Sequence, residues 1–230
     1  MDKRTISIII PTCNEESIIA CTIQKLLALT ERSEGVEIIV SDASTDKTPD
    51  ILSTFPVTVC NSSKGRAIQL NNGARQAKGE ILYFLHADTE PPKTFLNDIR
   101  SAVAAGKEAG CFRMHFDADH PLLSLFGWCT QFPLMICRGG DQSLFIKKEL
   151  FSGVGGFDVT HLIMEDYDII SRIEQQTPFH ILETEVTTSA RKYFSNGIIP
   201  LQLSFGTIHL MYTLGFTQES LIRYYKENIF

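Results

Sequence analysis

One feature constrains this chain more than any other: short apolar runs recur along its first half with helical spacing between them. Ile6-Ser7-Ile8-Ile9-Ile10 is the first, and Val36 to Val40, Val57 to Cys60 and Ile81 to Leu85 follow. Runs dominated by β-branched residues suit strands buried on both faces of a parallel sheet, where alternation disappears. Between them, Ile19, Ile23, Leu26 and Leu27 recur at helical spacing. Residues 48 to 54 read as a short helix, and residues 66 to 78 as a longer one stopped at Gly79. Pro91 and Pro92 open a further helix, on which Phe95, Ile99 and Val103 share a face. Pro11 is expected to end the first strand, and Asn14 to cap the helix after it. The pattern predicts an α/β fold, a mostly parallel sheet flanked by helices on both sides.

From about residue 110 the pattern loosens. Cys111 to Phe116, Gln142 to Ile146 and Phe179 to Leu182 read as strands, and Asp166 to Gln176 as a helix. Leu122 to Ile136 is apolar and rich in aromatics, and the last thirty residues look helical. No Ser/Gly/Pro-rich linker interrupts the chain. A single domain over 1–230 is therefore expected, with a nucleotide-binding half at 1–110, an acceptor-binding half at 111–190 and a helical tail at 191–230. Ile198 to Phe216 is apolar, but Pro200, Gln202, Ser204, Thr207 and His209 interrupt it too often for a membrane span. It reads as a helix packed on the domain. The sharper alternative is a surface that rests on a membrane or on a lipid-linked acceptor.

Composition excludes several classes. Hydrophobic residues make up 43% and charged residues 21%, which fits a packed core and argues against disorder. The net charge of −6, with no Lys/Arg run, argues against nucleic acid. The six cysteines form no C-x-x-C pair and have no His at zinc-like spacing, so they are expected as buried, reduced thiols. The run after the charged start is too short for a signal sequence. A cytoplasmic protein is expected, with peripheral contact at the inner membrane face at most.

Polar residues gather where the expected strands end. The first gives Pro11-Thr12-Cys13-Asn14-Glu15-Glu16, the second Asp42-Ala43-Ser44-Thr45-Asp46, the fourth His86-Ala87-Asp88-Thr89. In an open parallel sheet these sets converge on the edge where ligands bind. Asp46 reads as a helix cap. Asp42 lies a step too early for that and reads as a ligand to a base or ribose. Asp88 follows Phe84-Leu85 and is expected deep in the fold, where a carboxylate needs a cation or a donor. Mg²⁺ held by a carboxylate and substrate phosphates would satisfy it; His86 could assist with Mn²⁺, but packing is its favoured role. Lys64-Gly65-Arg66-Ala67 at a helix start suits a phosphate, and Arg191-Lys192 adds cations that could reach a diphosphate. Glu165-Asp166-Tyr167-Asp168 opens a helix with three acids. That is ordinary for a first turn, and it also suits a general base.

In order, the blocks IIIPTCNEE, VSDASTD, KGRAIQLNNGA, YFLHADT, GGDQSLF, VGGFD and MEDYDIISRI resemble family 2 glycosyltransferases of the GT-A fold over about residues 5 to 190. The wording around GRA and LHADT also resembles a bacterial subfamily associated with radical-SAM and selenium-related genes. The resemblance implies that Pro11, Glu15 and Asp42 line a nucleotide pocket bordered by Lys64, Gly65, Arg66 and Ala67. It implies that Asp88, the last acid of a D-x-D motif whose first acid is here His86, contacts Mg²⁺ or Mn²⁺, and that Asp166 is the base. It implies an inverting transfer from a nucleotide diphosphate sugar, UDP favoured, to an acceptor hydroxyl. No Q-x-x-R-W block follows, so the transfer is expected to be non-processive. The alternatives are a sugar-phosphate nucleotidyltransferase and a nucleotide-sugar-binding protein without activity.

Overall fold

The computed structural model describes residues 4–229. The charged start at residues 1–3 and the last residue of the tail lie outside the described residues. Among the described residues, eight strands form one sheet in the order β3-β2-β1-β4-β7-β6-β8-β5. β1 (Ile6–Thr12) pairs in parallel with β2 (Val36–Asp42) and with β4 (Ile81–Phe84), and β2 pairs in parallel with β3 (Thr58–Asn61). Ile6, Ile8, Ile9 and Ile10 are all fully buried, which is why no polar alternation marks the strand. Ile6, Ile8 and Ile10 pack with α1 (Ile19–Thr30) and α4 (Phe95–Ala104), while Ile9 packs on the other face with α3 (Arg66–Gln76). Helices on both faces of a parallel sheet follow from strands of this kind.

Three local expectations need correction. β1 runs through Pro11 to Thr12, opposite Asp42. Proline costs the ladder one donor, and the backbone bond from Ala43 to the Thr12 carbonyl at 2.9 Å holds the register beyond it. Asn14 does not cap α1, which begins at Ile19. At φ 60° it ties two loops together instead: its side-chain oxygen accepts from the Thr45 amide at 2.8 Å, and its own amide donates to Ser44 Oγ at 2.8 Å. Gly79 does not end α3, which stops at Gln76. A Cβ on Gly79 would lie 2.6 Å from the Ser7 amide nitrogen, so glycine there serves a close approach to β1.

The second half of the sheet is mixed. β7 (Leu144–Lys147) runs antiparallel to both β4 and β6 (Ala109–Phe116). β8 (His180–Thr188) runs parallel to β6 with a register shift at Phe112/Arg113, and the two-residue β5 (Thr89–Glu90) closes the edge against β8. β8 extends well past the expected Leu182, because β6 pairs with it as far as Thr188 although Glu183 and Glu185 interrupt its apolar pattern. The third core cluster lies beyond the sheet. There α5 (Pro121–Cys129), α8 (Arg191–Asn196), α9 (Ile198–Thr213) and α10 (Gln218–Asn228) enclose Phe116, Leu123, Tyr193, Leu201, Ile208 and Leu221. All six thiols are free, but only Cys111 is buried and Cys21 is exposed, so the expectation of buried thiols holds for one of them.

Candidate active site

The strand-end loops do converge. Besides the Asn14 bonds, the Glu16 amide donates to Asp46 at 3.2 Å, and the same carboxylate caps the turn into α2 (Thr48–Leu52) by accepting from the Thr48 amide at 2.9 Å. Asp42 is 4% exposed, and its Oδ1 accepts from Thr12 Oγ1 at 2.7 Å and Ser44 Oγ at 2.6 Å. It therefore holds the turn. Gln69, which no motif singles out, donates from its buried amide to the Thr12 and Ser41 carbonyls at 2.7 and 3.0 Å. That clamp fixes the start of α3 over the ends of β1 and β2. Lys64 is exposed on the rim, and Gly65 takes φ +143°, a conformation that favours glycine. Ala67 faces the core beneath them.

Asp88 is exposed, not deep. The last sheet bond of β4 runs from the Leu85 amide to Ile9 at 3.0 Å, and the chain then turns outward, with the Thr89 amide bonded to the His86 carbonyl at 3.2 Å. Asp88 sits in that turn and lines a cavity of about 330 Å³ together with Thr22, Asp117 and Arg191. The carboxyl of Glu15 is pushed above the usual carboxylate range by burial first and by Asp88 next, while Arg191 and Lys192 pull the other way. Asp88 and Arg191 thus share this cavity, with Glu15 and Lys192 within electrostatic reach. No hydrogen bond or ion pair among the described residues engages the Asp88 carboxylate. An open, unpaired oxygen ligand beside a second carboxylate fits a hard divalent cation whose shell is completed by phosphate.

His86 does not join Asp88. Its Nδ1 lies 3.0 Å from Asp141 Oδ1. Burial pushes the half-exposed Asp141 carboxyl up, but His86, Arg66 and Lys192 outweigh it and hold it down at about 2. A Cβ on Gly140 would come within 2.6 Å of the His86 ring and would clash with Asp166 Oδ2. Glycine at 140 is what lets the His86–Asp141 pair lie beside Asp166.

Asp166 is the second residue of α7 (Glu165–Glu174), which starts after Met164 in the left-handed conformation at φ 67°. Its carboxyl is raised to about 6 by burial first and by Glu165 next, against the opposing charges of Arg66 and His86. Arg66 Nη1 lies 3.2 Å from Glu165 Oε1 and 3.8 Å from Asp166 Oδ2. Arg66, expected at a phosphate, therefore reaches from α3 to the acids of α7. Asp168 takes no part, since Arg172 Nε bonds it at 3.0 Å. Asp168, Asp158 and His161 bring ligand atoms within 4.8 Å of one another, but Arg172 neutralises Asp168 and Thr160 Oγ1 bonds Asp158 at 2.7 Å, so this cluster braces a loop. Asp166 and Arg66 line a second cavity, of about 600 Å³, walled by Phe116, Phe126, Phe205 and Ile208, with Lys192 on its margin.

A family model described as glycosyl transferase family 2 matches residues 7–130, more than half of the chain. The chain belongs to glycosyl transferase family 2. Two relatives agree. The protein named probable glycosyltransferase YdaM of Bacillus subtilis (strain 168) is 26% identical over 202 residues, covering 73% of this chain and 46% of its own length. An uncharacterized glycosyltransferase of Haemophilus influenzae is 29% identical over 195 residues, covering 77% and 66%. The chain thus spans less than two thirds of either relative. Among solved structures, the mannosyltransferase PcManGT of Pyrobaculum calidifontis superposes with a TM-score of 0.67 at 19% identity, over 91% of this chain and 62% of that one. Glucosyl-3-phosphoglycerate synthase of Mycobacterium tuberculosis gives 0.61 at 17%, over 93% and 81%. At such identities the likeness carries the fold, which is GT-A.

Proposed function

We propose that this family 2 protein transfers a sugar from a nucleotide diphosphate sugar to an acceptor hydroxyl, with inversion at the anomeric carbon. The observation that carries the reading is Asp166: a largely buried carboxyl, 16% exposed and raised to about 6, that lines the larger cavity and is linked through Arg66 to the start of α3. A carboxylate of that affinity accepts a proton from a hydroxyl more readily than an ordinary aspartate, while still being ionised at neutral pH. The acceptor oxygen attacks the anomeric carbon, its proton passes to Asp166, and the bond from that carbon to the diphosphate breaks. Asp42 and Glu15 hold the nucleoside end, Lys64 and Gly65 border it, and Arg191 and Lys192 take up charge on the departing diphosphate. Asp88 would hold Mg²⁺ or Mn²⁺ against that diphosphate, where a bound cation neutralises developing charge.

Support comes from structures of the same fold. PcManGT was solved with GDP-Man and Mn²⁺, S. aureus TarS with UDP-GlcNAc, and the glucosyl-3-phosphoglycerate synthase with UDP, Mn²⁺ and its product. UDP is the favoured nucleotide. Calorimetry with UDP, GDP, CDP and ADP, with and without Mn²⁺, tests the donor half: UDP binds most tightly, and Asp42→Ala weakens it. Equal weak binding of all four, unchanged in that variant, contradicts the reading. Turnover of Asp166→Asn tests the chemical half, with an expected loss of ~10²–10⁴-fold and donor binding retained.

A further inference from the structure

α9 is apolar on two opposite faces. Leu201, Ser204 and Ile208 are buried against the third core cluster. Ile199, Leu203, Leu210 and Leu214 fall within about 60° of one another on the opposite side at 100° per residue, and each is more than half exposed, Leu203 at 67%. A helix that is hydrophobic all round belongs in a core or a membrane, and this one has only one protein neighbour face. α5 repeats the arrangement: Leu123 is buried, while Leu125 and Trp128 point outward, followed by exposed Leu134 and Ile136.

We propose that this outer face of α5 and α9 docks on a lipid bilayer, and that the acceptor is an amphiphile drawn from it. Charge is the first argument. The chain carries 27 acidic residues, yet none falls within residues 120–140 or 186–218, the stretches that build this face. Exposed Arg191 and Lys192 stand next to exposed Phe194 at its border. Apolar surface from stretches that carry no acid, with two cations at its border, on an otherwise acidic protein, suits lipid acyl chains and headgroups. Continuity with the site is the second argument. Ile136, which belongs to this apolar surface, also lines the 600 Å³ cavity and is 62% exposed, so the cavity reaches the apolar surface at that residue. A second copy seated there would cover that point, whereas a bilayer would supply the acceptor through it. Inside, Phe126 and Phe205 offer contact to an apolar stem, and Asp166 lies where a polar head bearing the hydroxyl would end. No helix among the described residues is long and apolar enough to cross a membrane, so the contact is peripheral. The docking stands on the surface alone; the identity of the acceptor rests on the sugar-transfer reading.

The experiment is flotation of the full chain with vesicles of phosphatidylcholine, and of phosphatidylcholine with phosphatidylglycerol. Both should carry the protein upward, the anionic vesicles more strongly. A Leu203→Ser/Leu210→Ser/Leu214→Ser variant should lose roughly tenfold or more in partitioning, with unchanged melting temperature and UDP binding. Trp128→Ser, on the other helix, should weaken flotation in the same direction and guards against misfolding of the first variant. Protein that stays at the bottom with both vesicles overturns the proposal, as do variants that float like the parent. A self-association in the ultracentrifuge that these variants abolish, with no flotation, overturns it in favour of a second copy. Flotation with no nucleotide binding by the parent supports the docking and removes the sugar-transfer reading instead.

Discussion

α3 and α9 are both packed against a core, but their outer faces differ. α3 buries Ala67, Leu70 and Ala74 and turns Asn72 and Arg75 away from the core, where they bond to each other. α9 buries Leu201 and Ile208 and exposes Ile199, Leu203 and Leu210, with exposed Leu214 just beyond its end. The contrast runs through the molecule. Residues 5 to 104 alternate buried strands with helices whose outer faces are polar, and their chemistry collects at strand ends. Residues 109 to 228 build a cavity whose walls include α5 and α9, two helices with exposed apolar residues on their outer sides. The first arrangement suits a charged, water-soluble ligand, and the second suits an apolar one.

Substitutions can break or sharpen that contrast. The largest effect is expected at Asp88, the unpaired carboxylate of the first region. Asp88→Asn should nearly abolish turnover and Mn²⁺-dependent donor binding while leaving vesicle flotation intact; full activity in the presence of a chelator would erase the division of labour. Next comes the inner face of α9, where Leu201→Ala should cost ~2–5 kcal/mol in denaturant unfolding, as large-to-small changes in packed cores do. Asn14→Ala, which removes the link between the first two strand-end loops, should cost about 1 kcal/mol by the same measurement. Smallest is the outer face: Leu203→Ala should change stability by less than about 0.5 kcal/mol. Equal losses at Leu201 and Leu203 would mean that α9 is covered on both sides within the protein.

The legibility of the sequence follows the same divide. Strands buried on both faces and helices with one apolar stripe announce themselves by composition and period, so β1, β2, β4, α1 and α4 were expected within a few residues. The apolar pattern of β8 ends at Leu182, short of the strand itself, because pairing with β6 overrides the charges at Glu183 and Glu185. Asp88 is exposed although it follows a buried strand, because an apolar run says where a strand lies and not where the chain turns out of the sheet. Three acids in four positions are visible in the sequence, and Glu165 does raise Asp166, but burial outweighs it and Asp168 is taken up by Arg172. The pairs that join the two regions, Arg66 with Glu165 and His86 with Asp141, span 99 and 55 positions, and local pattern carries no sign of them. Gly140 was the available clue: a glycine pair before an acid can mark a close approach of side chains as readily as a flexible loop.

The central claim is that a base in the second region is set by a cation from the first. Arg66 pulls the Asp166 carboxyl down against burial, so its removal must raise that carboxyl further above its ordinary value. The base is active when ionised, so kcat/KM should climb with pH through a midpoint near 6 in the parent protein. In Arg66→Met the midpoint should move upward by roughly one unit, and in Arg66→Lys, which keeps the charge, it should stay near the parent's. A pH profile of kcat/KM for the three proteins with one nucleotide sugar and one acceptor decides the matter. An upward shift in the first variant and little change in the second is the result this account predicts. A midpoint that stays in place or falls when Arg66 is removed contradicts it.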